Sequence, residues 1–146
     1  MPSIAELAIE EARDKHLDLS TRKMMVPVNA FKFHLLEPSK SVMAAFHQAK
    51  VQGLSWPKGV PLPVLTYHPA DRTFGVMDGM MRIRAAQLMK MPQFPALVAS
   101  GDTYDALQPI LSRGYHGDDF VEMLCLVSPE VRKNQESCNR NRLAGL

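Results

Sequence analysis

Apolar residues recur along this chain with two different periods, and the switches between them mark out the elements. Ile4, Leu7, Ala8 and Ala12 follow helical spacing behind Ser3-Ile4-Ala5-Glu6. There the serine oxygen and the glutamate can satisfy the unpartnered amides of a helix start, so a helix is expected over residues 4–17. Met25-Val26-Pro27-Val28-Asn29-Ala30-Phe31 predicts a short strand, which Pro27 places near a sheet edge or a strand start. Glu37-Pro38-Ser39-Lys40 predicts a turn, and Val42, Ala45, Phe46 and Ala49 then line one face of a helix that Gly53 ends. A loop with Trp56, Pro57, Gly59 and Pro61 leads to a strand over 62–67. After a turn at His68–Arg72, residues 73–78 return as the second strand of a hairpin. Gly79 lets the chain swing into a helix over 80–90, with Met81, Ala85, Leu88 and Met89 on one side. Phe94–Ala99 is the last expected strand.

Strand, helix, strand, strand, helix, strand is a mixed order, and it predicts an α+β fold: a small mixed sheet with covering helices. Beyond Gly101 the strands stop. Asp102 or Thr103 is expected to cap a helix that Pro109 breaks or kinks. A second helix is expected over 118–127, and Ser128-Pro129-Glu130 is a third helix start, with proline at the first helical position. The chain therefore divides into an N-terminal helical appendage (1–23), a central domain (24–101) and a helical C-terminal extension (102–146). There is no internal repeat and no low-complexity tract.

Charge adds one thing to this picture. The formal net charge of +2 is uneven. Residues 24–101 carry eight bases against Glu37, Asp71 and Asp78, whereas residues 102–127 carry five acids against Arg113 alone. The tail from Ser128 turns basic again through Arg132, Lys133, Arg140 and Arg142. The central segment thus has the sign of a surface that handles phosphates, without the density of a DNA-coating protein. With 46% hydrophobic and 22% charged residues, wholesale disorder is excluded. No apolar run approaches the roughly 20 residues that span a bilayer. Glu6, Glu10, Glu11 and Asp14 occupy the place of a signal's apolar stretch, so a cytoplasmic location without a membrane partner is expected. Cys125 and Cys138 stand in no zinc-like spacing, and the five histidines, His34 among them, form no H-x-x-x-H pair, so no metal site is expected.

The candidate chemistry lies where the second hairpin strand ends. Asp78, Gly79 and a helix opening with Met80-Met81-Arg82 would present unpartnered amides at the positive end of the helix dipole. An anion could approach closely there, because the glycine has no side chain. Arg82 is placed to reach back to the turn, while Arg84 points elsewhere.

Five strings in order carry a family resemblance. Val26-Pro27-Val28 is similar to an opening strand, and Leu36-Glu37-Pro38-Ser39-Lys40 to an L-D-P-x-K motif. Pro61-Leu62-Pro63-Val64 is similar to a P-I-x-V strand, and Pro95-Ala96-Leu97-Val98 to a closing I-P-A-x-V strand. Between them, Asp78-Gly79-Met80-Met81-Arg82 resembles a signature written D-G-H-H-R, G-E-R-R-x-R-A or G-G-C-H-R. Together they resemble the ParB N-terminal and sulfiredoxin-like superfamily, including its ParB-like nuclease members, over residues 24–101. The resemblance implies a nucleotide or nucleic-acid phosphate site made by Lys40, Asp78, Gly79, Met80, Met81, Arg82 and Arg84, with Glu37 and His47 near the pocket. It also implies a nucleoside triphosphate with Mg2+ as cofactor, nucleotide or nucleic acid as partner, and a plasmid or phage setting.

The departures bear on catalysis. Met80 stands where sulfiredoxins have their catalytic cysteine, and a thioether is no thiolate nucleophile, so sulfiredoxin activity is not expected. Met80 and Met81 also replace the polar groups of the other branches with groups that neither transfer protons nor hold hard metal ions. The expectation is a phosphate-binding protein with weak or no catalysis. Two alternatives stand beside it. One is an active nuclease or nucleotide hydrolase using Asp78 or Glu37. The other is a degenerate fold that binds a protein, such as a host protein it inhibits, through its methionines. In ParB proteins a DNA-reading helix-turn-helix follows this domain, but the acids of 102–122 are of the wrong sign for a DNA-facing surface.

Overall fold

The computed structural model describes residues 1–33, 35–112 and 116–143, with side chains through Glu136. His34, Arg113 and the side chains of Cys138, Arg140 and Arg142 lie outside the described residues. Among the described residues, six α-helices and four strands follow in the order α1 (Ile4–Asp14), β1 (Thr21–Pro27), α2 (Lys40–Val51), β2 (Val64–His68), β3 (Thr73–Asp78), α3 (Met80–Leu88), β4 (Gln93–Ser100), α4 (Gly101–Leu111), α5 (His116–Val127) and α6 (Pro129–Leu143). The fold is α+β, with one mixed sheet of strand order β1-β4-β2-β3. The central pair, β2 and β4, is parallel, and both outer pairings are antiparallel.

Alternation along the strands divides the core in two. Leu65, Phe94, Ala96 and Val98 point to one face, where α2 and α3 add Phe46, Ile83, Ala85 and Ala86. Val64, Leu97 and Ala99 point to the other, beneath Ala5, Ala8 and Ala12 of α1, Leu107 and Leu111 of α4, and Phe120 and Leu124 of α5. The first face is aromatic: Trp56 meets Phe46 edge-on at 4.8 Å and lies 6.0 Å from Phe94. Its indole N–H donates to the Val60 carbonyl at 3.0 Å, which ties down the loop between α2 and β2.

Four expectations are corrected. The first strand is Thr21–Pro27 and not 25–31, because its register with β4 runs from Thr21 opposite Ala99 to Pro27 opposite Gln93, and Val28–Ala30 form a 3-10 turn. Secondly, α4 is capped by Ser100, whose hydroxyl oxygen accepts the Thr103 amide at 3.1 Å, and not by Asp102 or Thr103. Thirdly, Pro109 sits inside α4 without ending it, within the last turn before Leu111. The first helix also ends at Asp14, short of the expected residue 17. The capping box at Ser3 is present, with the serine oxygen accepting the Glu6 amide at 3.1 Å.

Candidate functional site

Asp78 closes β3, and Gly79 takes a left-handed conformation (φ 101°) as the N-cap of α3. That φ favours glycine, and a Cβ there would lie 2.9 Å from Cα of Pro63, so glycine is required twice over. No side chain caps this helix start, and the Asp78 carboxylate is engaged elsewhere. Its Oδ2 lies 3.3 Å from Nη2 of Arg82 and accepts from Nε2 of Gln135 at 3.1 Å. Nη1 of Arg82 donates to the Pro61 carbonyl at 2.6 Å, and only 13% of that side chain is exposed. Beside it, the Asn134 side chain accepts from the Leu62 amide at 2.8 Å and donates to the Leu62 carbonyl at 3.0 Å. Arg82 therefore holds the turn against the 61–63 segment, and α6 locks both in place.

Arg84 and Gln87 of α3 fasten the chain that precedes α2. Nε of Arg84 donates to the Leu36 carbonyl at 3.3 Å, and the Gln87 amide donates to the carbonyls of Val28 and Phe31 at 3.0 and 2.9 Å. At the far ends of the helices, Nζ of Lys50 donates to the Met89 carbonyl at 2.7 Å. These ties hold α2 and the chain before it against α3, with the end of α2 beside the end of α3. Lys40 is the first residue of α2, which Ser39 caps by accepting the Val42 amide at 3.3 Å. Lys40 and Glu37 are exposed. His47 is exposed too, and its place along α2 puts it about 10 Å from Lys40. Met80 and Met81 are 43% and 44% exposed at the start of α3.

The start of α3, which no side chain caps, offers its first amides to an anion. It offers less to a metal ion, since the Asp78 carboxylate is already shared by Arg82 and Gln135. Among the described residues, no three His, Cys, Asp or Glu side chains converge. Burial pushes the Cys125 thiol above its usual range, which opposes the thiolate form.

A second polar chain escaped the sequence reasoning. Thr66 Oγ1 and His68 Nε2 lie 3.1 Å apart, and His68 Nδ1 lies 3.2 Å from Oδ2 of Asp105. Thr66 is fully buried, so its hydroxyl cannot meet a substrate, and the chain fastens α4 to β2. The signal was the Thr-x-His alternation on one face of β2. Asn134 and Gln135 carried no comparable signal, since amides within a basic helix look solvated.

Among the described residues, no helix is long and apolar enough to cross a membrane. Comparison with protein-family models and with curated proteins gives no match.

Proposed function

We propose that this chain is a cytoplasmic protein that binds the phosphate of a nucleotide or nucleic acid at the start of α3, with Lys40 of α2 contributing charge. The observation that carries the reading is the left-handed Gly79 cap, which leaves the start of α3 without a side-chain partner. Lys40, exposed at the start of α2, would supply positive charge, and Arg82 acts by fixing the turn rather than by reaching into solvent. Binding rather than turnover is the favoured activity. The two methionines at the mouth cannot transfer protons, and the one carboxylate at the turn is already engaged.

The test is calorimetric titration with ATP, CTP, GTP and short single- and double-stranded DNA, each with and without Mg2+. Lys40→Ala should weaken the preferred ligand about tenfold, the loss expected for one charge-assisted contact. Met80→Glu, which sets a carboxylate over the α3 amides from an exposed position, should abolish binding. Absence of binding to every ligand, or binding indifferent to both substitutions, would sink the reading. The exposure of Met80 and Met81 favours a protein partner as the second reading, because adaptable thioether side chains suit such contacts.

A further inference from the structure

A groove of about 350 Å³ lies at the opposite end of β2 from the Gly79 turn, where the parallel strands β2 and β4 finish. The crevice outside the carboxyl ends of parallel strands is where open sheets commonly hold small ligands. Its floor is the sheet face that α2 and α3 cover elsewhere. The cover does not reach Met24, which is 38% exposed, and Met24 with the largely buried Val98 and part-buried Tyr67 forms an apolar base beside Pro69. Opposite charges stand on its rim: Asp18, from the connection between α1 and β1, and Arg22, which faces Val98 in the register of β1 with β4.

The two charges are near enough to influence each other, yet no ion pair joins them among the described residues. The Asp18 wall is also built in advance. Its Oδ1 accepts from both the amide and the hydroxyl of Ser20, at 2.9 and 2.6 Å, and among the described residues no hydrogen bond engages its other oxygen. Its backbone carbonyl accepts the hydroxyl of the buried Thr103 at 2.7 Å. The Ser20 hydrogen bonds hold the Asp18 carboxyl below its ordinary value.

We propose that this groove binds a small zwitterion with an apolar side chain, a free α-amino acid of the leucine, methionine or phenylalanine kind. The ammonium would sit on Asp18, the carboxylate on Arg22, and the side chain on Met24, Val98 and Tyr67. A free α-amino acid carries its ammonium and carboxylate on one carbon with the side chain beside them, so it can bridge Asp18 and Arg22 on the rim while its side chain lies on the apolar base. A nucleobase would use the apolar base but only part of each charge. The volume is within the range of small-molecule sites, at its lower end. Nothing in this assignment depends on the phosphate reading of the Gly79 turn, and the two can fail separately.

The experiment is calorimetric titration of the full chain with L-leucine, L-methionine and L-phenylalanine, then N-acetyl-L-phenylalanine and L-phenylalaninamide, with adenosine and guanosine as the competing class. At least one free amino acid should bind at millimolar concentration or tighter, and blocking either end should weaken it about tenfold or more. Asp18→Asn should lose affinity for the free amino acid and stop discriminating against the N-acetyl form. Arg22→Gln, on the exposed strand edge, should do the same toward the amide. A change that merely loosened the fold would not produce that crossed pattern. No binding of any free amino acid, equal binding of the blocked forms, or binding of the nucleosides alone would each overturn the proposal. The blocked ligands decide the matter on the unaltered protein even where a variant fails to fold.

Discussion

The two ends of β2 use their charged groups differently. At its N-terminal end, Arg82 is committed to the Pro61 carbonyl and to Asp78, Asp78 also to Gln135, and Asn134 to both backbone groups of Leu62. At its C-terminal end, Asp18 and Arg22 face a groove without closing on each other. The lesson is that a motif arginine and a strand-end carboxylate, which look like ligand-binding groups in a sequence, can be the internal fastening of a turn. Charges from a poorly patterned connection can be the ones left over for a ligand. Side chains that hold a turn make its backbone available; side chains at an unfastened rim act for themselves.

Substitutions at the fastened end should break this contrast most strongly. Gly79→Ala forces a side chain into a left-handed conformation and against the Pro63 backbone, and should destabilise the fold by about 3 kcal/mol in urea titrations. A loss below about 1 kcal/mol would show that Pro63 yields and that the turn is not tightly held. Arg82→Ala leaves the Pro61 carbonyl without this donor and the part-exposed Asp78 with Gln135 alone, for an expected loss of about 2 kcal/mol. Arg82→Lys should recover only part of it, because a single ammonium cannot replace two branched donors. Full recovery with lysine would mean that charge alone matters there.

The smallest effect belongs to the open end and depends on pH. The hydroxyl and amide of Ser20 hold the Asp18 carboxyl below its ordinary value of 3.8, so the unfolded chain takes up this proton more readily than the folded one. The resulting stability is present above that ordinary value and is lost as pH falls through the lower, folded one. Thermal melts below about pH 4 should therefore fall less steeply for Asp18→Asn than for the wild type, and only slightly so, since the carboxyl is largely in solvent. Identical slopes would remove the argument that Ser20 keeps Asp18 charged.

Most of the sheet was legible because its strands either alternate or run apolar between clear turns: β3 falls on the expected 73–78 and β4 within a residue of 94–99 at each end. β1 was misplaced because it is an edge strand whose Arg22, Lys23, Met24 and Met25 are all exposed, so no alternation marks its first half. The Gly79 turn was legible as a conformation, since glycine between a strand and a helix has few other meanings. The partners of its side chains were not. Gln135 meets Asp78 from 57 residues away, and nothing local in either residue encodes that pairing. The groove was invisible for the same reason, being assembled from three strand ends and a connection.

One consequence of the Asn134 contact concerns how the sheet ends. A carboxamide carries the same donor and acceptor as a peptide group, and Asn134 presents both to Leu62 just ahead of β2. A single side chain thus does there what a further strand would do. Backbone left open beside a sheet is a template for another molecule's strand, and the usual protections are charge, proline or a covering helix. Here the covering helix also completes the ladder, with Pro61 and Pro63 flanking the residue it completes. A chain cut short before α6 would expose that backbone. Its first symptom would then be self-association at this corner, ahead of any loss of the sheet itself.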